Sequence, residues 1–401
     1  MNKFMLKTPE GTRDFLFEEC ERHNRIKAAL SALFAARGYN EVITPATEYF
    51  DLFSGESSGL SQEEMYKLTS RSGRLLVLRP DITMPIARLV STRLKDAPLP
   101  IRLHYTQKVF RVNPGFKGRS DEITQSGVEL IGAAGLTADL EMIHTAARVF
   151  AACGITDYKI ELGHAGVFKA LCAGLGVDPA VREEIRLATE SKSYSTLEEI
   201  LERLPKTGAA KAVGMLPRLF GGVEILDEAA ALFGETAAAE LSYLRELVTA
   251  LSPEYGDKIS VDLGLVHRNN YYTGVVLRGY AGGSGDTAVS GGRYDHLFGE
   301  FGMQLPAVGF AANNQVLAEA MAAQEESASR PERQLVYPEP GHEMQALRYI
   351  DENSSAGLVL ELMDFSRYPH AAEDAAQRGA SAVVRVGKGI EIEAILSKNA
   401  E

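Results

Sequence analysis

Apolar and polar positions alternate most clearly between residues 101 and 132, a pattern that predicts two β-strands joined by a loop. The first stretch, IRLHYTQKV, is rich in strand-forming residues and alternates in part. The second, EITQSGVELIG, alternates apolar Ile123, Val128 and Leu130 with polar side chains. Gln125 and Glu129 are an even number of residues apart, so they share one face of the second strand. Polar groups on an otherwise apolar face need a partner.

The loop between these strands combines glycine with positive charge. It contains Pro114, Gly115, Gly118 and the cations Arg111, Lys117 and Arg119. A basic loop of this kind between two strands can hold an anion against a rigid floor.

The N-terminal part of the chain predicts a helix followed by short strands. Apolar residues recur at helical spacing over residues 18–37, and Gly38 is placed to end that helix. Residues 40–45 predict a short strand that meets Pro45, and proline in a strand favours an edge position. Residues 65–81 predict a hairpin whose second strand is almost entirely apolar and therefore buried.

The rest of the chain predicts further helices, a return of the sheet and a small final unit. An amphipathic helix is predicted over residues 137–154, and residues 164–255 are dominated by helical patterns that indicate an insertion. Strand patterns resume at residue 258. After a polar linker, residues 334–401 alternate strand and helix patterns.

Composition limits the class of protein without deciding its function. The chain has 401 residues, which allows two or three domains, and its hydrophobic share of 45% and charged share of 24% are ordinary for a water-soluble protein. Cys20, Cys153 and Cys172 show neither metal-site nor disulfide spacing, and neither a signal peptide nor a membrane span is expected, so we expect a cytoplasmic protein. The net charge of −12 argues mildly against nucleic-acid binding.

Five stretches together resemble the class II aminoacyl-tRNA synthetases of the histidyl type over roughly residues 8 to 322. They are FRVNPGFKGRSDEITQSGVELIG from residue 110, LRPDIT at 78–83, LVHRNNYYTG at 265–274, SGGRYDHL at 290–297 and PAVGFA at 306–311. The resemblance implies an α+β fold, with an antiparallel sheet flanked by helices in residues 1–325 and a helical insertion at about 164–255. It further implies that residues 331–401 form a small α/β domain similar to a reduced anticodon-binding domain. Residues 18–37 and 40–45 would form a homodimer interface.

The positions that hold histidine in that family are largely kept. The resemblance places Asp81, Thr83 and Gln125 around the ammonium group of histidine, although the synthetases usually have glutamate at the first of these. Glu129 and a tyrosine, Tyr271 or Tyr272, would face the imidazole. Arg111 keeps the position of the arginine that holds the α-phosphate, and we expect it to be the cation nearest the carboxylate.

The positions that hold ATP are largely lost. Asn113 and Pro114 replace a glutamate and an arginine of motif 2, and His267 replaces an arginine that a shorter, mostly neutral side chain cannot reproduce. In motif 3, Val316 stands at an arginine that stacks on adenine, and valine cannot bind phosphate. Five further substitutions are Asn313 for glycine, Gln315 for glutamate, and Ser120, Asp121 and Ile123 where an aromatic, an arginine and a phenylalanine are common. We expect the anionic Asp121 and Glu122 to oppose ATP by Coulomb repulsion.

This pattern of losses resembles the regulatory subunits of short-form ATP phosphoribosyltransferase, a paralogous family of histidine biosynthesis. The resemblance implies a protein without catalytic residues, metal or cofactor. It would form a homodimer, join separate catalytic chains in a hetero-oligomer, commonly an octamer, and bind histidine for feedback inhibition.

Two alternatives remain open at this stage. One is a divergent histidyl-tRNA synthetase, and the other is an amino-acid-binding paralogue with a different carrier. We expect no tRNA binding, because residues 331–401 contain 7 Lys/Arg against 12 Asp/Glu, a balance of −5.

Overall fold

A computed structural model describes residues 4–55, 59–113, 120–266, 271–324 and 331–394 of the chain. The chain divides into two units, Met1–Gln324 and Glu325–Glu401. Within the described residues, no helix combines the length and apolar character needed to cross a membrane.

The first unit consists of a large sheet, a small sheet and helices. Its strands are β1 (Asn40–Glu41), β2 (Thr47–Tyr49), β3 (Lys67–Thr69), β4 (Leu75–Leu78), β5 (Ile101–Phe110), β6 (Glu122–Ile131), β7 (Tyr158–His164), β8 (Phe220–Gly221), β9 (Ile259–Asp262), β10 (Val275–Ala281), β11 (Thr287–Arg293) and β12 (Ala307–Asn313). Its helices are α1 (Glu18–Ala35), α2 (Thr83–Arg93), α3 (Leu136–Ala152), α4 (Ala165–Ala173), α5 (Pro179–Glu190), α6 (Tyr194–Glu202), α7 (Gly208–Met215), α8 (Ile225–Phe233), α9 (Ala238–Tyr255) and α10 (Asn314–Gln324).

Nine of these strands form one sheet in the order β1-β5-β6-β12-β11-β10-β7-β9-β8. Neighbouring strands run antiparallel except β1 with β5 and β7 with β9. The predicted antiparallel sheet flanked by helices is confirmed, with these two parallel pairs added. The predicted hairpin of residues 65–81 forms a separate small sheet, in which β4 lies between β2 and β3.

The two faces of the large sheet carry different cores because successive side chains of a strand alternate between faces. On β6, Val128 and Leu130 belong to the core formed with α1, α3 and α10. Ile131 belongs to the opposite core, which includes Tyr105 and the buried residues of α2. Gln125 and Glu129 are each an even number of residues from Ile131, so their side chains also lie on the α2 face.

The strand predicted at residues 40–45 is shorter than expected. Only Asn40 and Glu41 pair regularly, with β5 at the edge of the sheet. Beyond them, side chains form hydrogen bonds with the backbone of Thr44 and Pro45. Arg79 Nη1 donates to the carbonyls of Thr44 at 2.6 Å and Pro45 at 3.0 Å, and Gln107 Oε1 accepts from the Thr44 amide at 3.1 Å. Because these groups already have partners, the ladder stops.

The range predicted as a helical insertion contains α4 to α9 and the two-residue strand β8. These helices contribute to the core on the α1 side, for example through Leu197, Leu226 and Leu244. The insertion returns to the sheet at β9, which lies beside β7.

The second unit has the strand and helix order that the sequence predicts. Its elements are β13 (Glu332–Pro338), α11 (Glu343–Asn353), β14 (Leu358–Leu362), α12 (Ala371–Arg378), β15 (Ala382–Val386) and β16 (Ile390–Ala394). The strands form a sheet in the order β14-β13-β15-β16. Leu335 and Tyr337 pack on one face with α12, and Val336 packs on the other with Ala346 of α11.

Candidate functional site

A cavity of about 280 Å³ lies in the first unit, on the face of the large sheet where α2 begins. All seven residues that the sequence predicts for a histidine site line it, namely Asp81, Thr83, Arg111, Gln125, Glu129, Tyr271 and Tyr272. The remaining lining residues are Leu60, Glu64, Tyr105, Val112, Asn113, Glu190, Ser290, Tyr294, Gly309, Phe310 and Ala311. Residues far apart in sequence therefore share one small polar space.

Glu129 is the carboxylate at the floor of this cavity, and it is 2% exposed. Its Oε1 accepts a hydrogen bond from Thr83 Oγ1 at 2.9 Å, and its Oε2 accepts one from the Tyr294 hydroxyl. Directly across the ladder on β12 is Gly309, where a Cβ atom would overlap the carboxylate. Glycine at this position makes room for a buried acid on a packed sheet.

Burial dominates the electrostatics of Glu129. Desolvation raises its pKa from 4.5 to about 8, and the negative charge of Asp81 adds to the rise. The hydrogen bonds from Tyr294 and Thr83 favour the charged form and limit the shift. A carboxyl group kept in this balance can exchange a proton or a hydrogen bond with a ligand near neutral pH.

Asp81 and Thr83 reach the cavity from the N-terminal end of α2. Asp81 Oδ1 accepts from the Met84 amide at 3.0 Å, so it also caps the helix. Burial raises the pKa of Asp81, and the charge of Arg111 opposes that rise. Asp81 and Glu129 thus bring two acidic side chains to one small cavity.

Arg111 lies just beyond β5 and is anchored by its own chain. Its Nε donates to the carbonyl of Pro80 at 2.6 Å. Within the described residues its terminal guanidinium nitrogens make no hydrogen bond, and the same holds for the side-chain amide of Gln125. Both groups line the cavity and are available to a ligand.

Three tyrosines form an aromatic wall of the cavity. The Tyr271 ring lies 4.8 Å from that of Tyr272 and 5.5 Å from that of Tyr294, both edge-on. Lys169 of α4 donates to the carbonyl of Tyr272 at 2.6 Å and thereby fixes the backbone beside the pair. The sequence analysis did not include Tyr294 in the site, although the SGGRYDHL stretch that contains it was a usable signal.

The residues at the motif 3 positions serve the fold. Val316 is 4% exposed and belongs to the core on the α1 side. Gln315 Oε1 accepts from the Thr124 amide at 3.1 Å and its Nε2 donates to the Glu122 carbonyl at 3.2 Å, joining α10 to β6. Neither side chain lines the cavity.

The expectation that Asp121 and Glu122 oppose ATP by Coulomb repulsion stays a prediction, and the structure shows where the two carboxylates lie. Asp121 is 9% exposed and accepts from the Tyr66 hydroxyl at 2.6 Å and the Asn113 amide at 3.0 Å. The hydrogen bond with Asp121 raises the pKa of Tyr66 to about 12. Glu122 forms an ion pair with Lys108. Both carboxylates therefore have partners, and neither lines the cavity.

Several predicted positions lie outside the described residues. These are the loop residues Pro114, Gly115, Lys117, Gly118 and Arg119, and the stretch that contains His267.

Glu190 is a lining residue that the sequence analysis did not anticipate. It ends α5 in the helical insertion, among several glutamates of an ordinary amphipathic pattern. No local signal distinguishes it from its neighbours, because its position depends on how the insertion folds back on the sheet.

Comparison with known proteins adds family relationships to this geometry. The family model described as "Histidyl-tRNA synthetase" matches residues 11–317. A protein of Clostridium kluyveri named "ATP phosphoribosyltransferase regulatory subunit" is 38% identical over 91% of this chain and 95% of its own length. A protein of the same name from Clostridium acetobutylicum is 42% identical over 78% of each chain.

Solved structures show the same relationship. A crystal structure from Bacillus halodurans, described as "ATP phosphoribosyltransferase regulatory subunit/histidyl-tRNA synthetase", has a TM-score of 0.83 and 29% identity, covering 96% of this chain and all of the other. A histidyl-tRNA synthetase from a Nostoc species has a TM-score of 0.75 at 19% identity, over 97% of each chain, which shows a shared fold.

Proposed function

Because the chain belongs to the family of ATP phosphoribosyltransferase regulatory subunits, we propose that it regulates that enzyme and catalyses no reaction itself. Membership implies a partnership with the catalytic chain, which performs the first step of histidine biosynthesis. The regulatory chain would activate its partner and convey feedback inhibition by histidine. The observation that carries the proposal is the cavity in which all seven residues predicted for histidine meet.

Histidine is the ligand whose chemical groups best match the side chains that line the cavity. Asp81, Thr83 and the amide of Gln125 surround the ammonium group, and Arg111 is the cation nearest the carboxylate. Glu129 faces the imidazole, with Tyr271 or Tyr272 as its second partner. A buried site of this kind discriminates strongly, because a wrong ligand leaves its polar groups unpaired.

Amino-acid activation lacks support in the nucleotide half of the site. A class II enzyme needs cations against the triphosphate, and the motif 3 position holds the buried Val316. Both ends of the side-chain amide of the neighbouring Gln315 are hydrogen-bonded to β6. The proposal is therefore binding of the amino acid without its activation.

The assembly is a further part of the proposal. We infer a homodimer formed through residues 18–37 and 40–45, which joins catalytic chains in a hetero-octamer and binds no tRNA. The homodimer surface includes Ile43, which is 79% exposed in the single chain. A substitution at Ile43 can therefore test this surface.

Reconstitution tests the proposal directly. The purified chain is mixed with a short-form catalytic chain, and phosphoribosyl transfer is measured with and without histidine. We expect activity only in the mixture and inhibition of the mixture by histidine. An unstimulated catalytic chain would contradict the regulatory role, and histidine-dependent ATP–pyrophosphate exchange by the homogeneous chain would favour a synthetase instead.

A further inference from the structure

The helical insertion reaches the cavity through one carboxylate. Of the described residues that line the cavity, Glu190 is the only one contributed by the insertion. The others come from the sheet, from the start of α2 and from adjoining loops. A change at the ligand site can therefore reach the insertion directly at Glu190.

Both oxygens of Glu190 are bound, and the two partners belong to different elements. Oε2 accepts from Arg186 Nη1 at 2.7 Å, within α5, and Oε1 accepts from Arg278 Nη2 at 2.9 Å, on β10. Arg278 lies opposite Ser290 in the ladder, and Ser290 also lines the cavity. The Glu190–Arg278 pair thus joins the insertion to the sheet at the edge of the ligand space.

A second ion pair lies two residues further along the chain. Lys192 Nζ contacts Asp262 Oδ2 at 2.8 Å, and the Asp262 side chain is 2% exposed on β9. Lys192 has a φ of +50°, a backbone conformation that a residue with a Cβ adopts only where its surroundings impose it. The segment from Glu190 to Lys192 is therefore a defined docking point between insertion and sheet.

We propose that Glu190 couples ligand binding in the cavity to docking of the helical insertion on the sheet. This inference rests on the proposed function of the same cavity. A ligand shifts a conformational equilibrium only if it interacts differently with the two states. Glu190 provides that difference, because one carboxylate lines the cavity, holds Arg278 of the sheet and also holds Arg186 of the insertion, whose side chain is 5% exposed.

Glu183 offers a matched control for a variant of Glu190. It lies in the same helix and contacts the same Arg186, at 2.7 and 2.8 Å, but its side chain is 51% exposed and does not line the cavity. Glu190→Gln and Glu183→Gln therefore remove the same charge from the same arginine. Only the first also changes the cavity and the contact with Arg278 of the sheet.

The experiment measures histidine affinity by calorimetry and amide exchange of α5 and α6 with and without histidine. In the wild type and in Glu183→Gln, we expect histidine to slow exchange in both helices. In Glu190→Gln, we expect the slowing to be lost and histidine affinity to fall about fivefold or more, the usual lower range of site-to-site coupling. Arg278→Gln breaks the same contact from the sheet side, so the double variant should behave like either single variant.

The outcomes separate this inference from the function on which it rests. Unchanged affinity and unchanged slowing of exchange in both Glu190→Gln and Arg278→Gln overturn the coupling, while wild-type histidine binding upholds the proposed function. A wild-type chain that binds no histidine, alone or with its catalytic partner, overturns both.

Discussion

Replacing Glu129 by glutamine removes the ionisable carboxyl group at the floor of the cavity and keeps the side chain's shape. The Glu129 carboxyl group accepts one hydrogen bond from Thr83 and one from Tyr294, and it faces the position proposed for the imidazole. Glutamine offers a single acceptor oxygen and two donor hydrogens. One of these existing partners, or the ligand, then loses its acceptor.

The size of the expected effect follows from the burial of this residue. Leaving a buried donor or acceptor without its partner costs about 1–3 kcal/mol, which corresponds to a loss of about 5- to 150-fold in histidine affinity. Because Glu129 is 2% exposed, little solvent is present to substitute for the lost contact. Feedback inhibition should weaken by a similar factor, while activation by the unliganded chain survives.

The stability of the unliganded variant should differ from that of the wild type in its dependence on pH. The pKa of Glu129 is raised from 4.5 to about 8 on folding, so the folded chain keeps a proton that the unfolded chain releases between these values. Stability from this group is therefore greatest below about pH 4.5 and falls as the pH rises to about 8. Glutamine has no such dependence, so the melting temperature of the variant should rise relative to that of the wild type between pH 5 and pH 8.

Calorimetric titration with histidine and thermal melting of the same preparations test both expectations. A variant whose melting temperature rises in this way and which binds histidine more weakly separates a binding defect from misfolding. Wild-type affinity in Glu129→Gln would refute the assignment, and the sensor would then have to lie elsewhere, such as the junction with the catalytic chain.

Three further predictions concern the same fold. Tyr294→Phe removes a donor to Glu129 and should lower histidine affinity about fivefold or more by calorimetry; unchanged affinity would show that Tyr294 only packs. The chain should have a dimeric mass by light scattering at micromolar concentration, and Ile43→Asp should make it monomeric while Met344→Asp, on the exposed surface of α11, should not; a monomeric wild type would count against the interface. Filter retention of tRNA should be weak, given the net charge of −12, and tight, salt-sensitive retention would contradict this.

Sequence reasoning located the polar face of β6 because it needs only the two-residue period of a strand. It also placed Asp81, Thr83 and the tyrosine pair at the site, through motifs whose spacing is tied to one fold. It could not find Glu190, whose position depends on how far α5 extends and on the register at which Arg278 meets it.

The pairing of charged side chains was the second feature that could not be predicted from the sequence. The sequence gives no sign that Glu122 pairs with Lys108. Lys108 lies opposite Thr124 on the neighbouring strand, and the register of β5 and β6 brings Lys108 and Glu122 together. The early end of β1 has the same origin, since Arg79 and Gln107 come from other parts of the chain. Side-chain partners across a sheet follow from tertiary structure and not from local pattern.

The motif 3 position and the amino-acid end of the cavity differ in what they cost the folded chain. At the motif 3 position, an arginine without a ligand would be a buried or poorly solvated cation, and Val316 instead joins the core. At the amino-acid end, the chain keeps Glu129 with a pKa near 8, a carboxyl whose burial lowers stability at neutral pH. A packed sheet gains nothing from such a group, and Gly309 is needed to make room for it. Under the proposed function, retention of this cost at the amino-acid end fits a site that binds an amino acid without activating it.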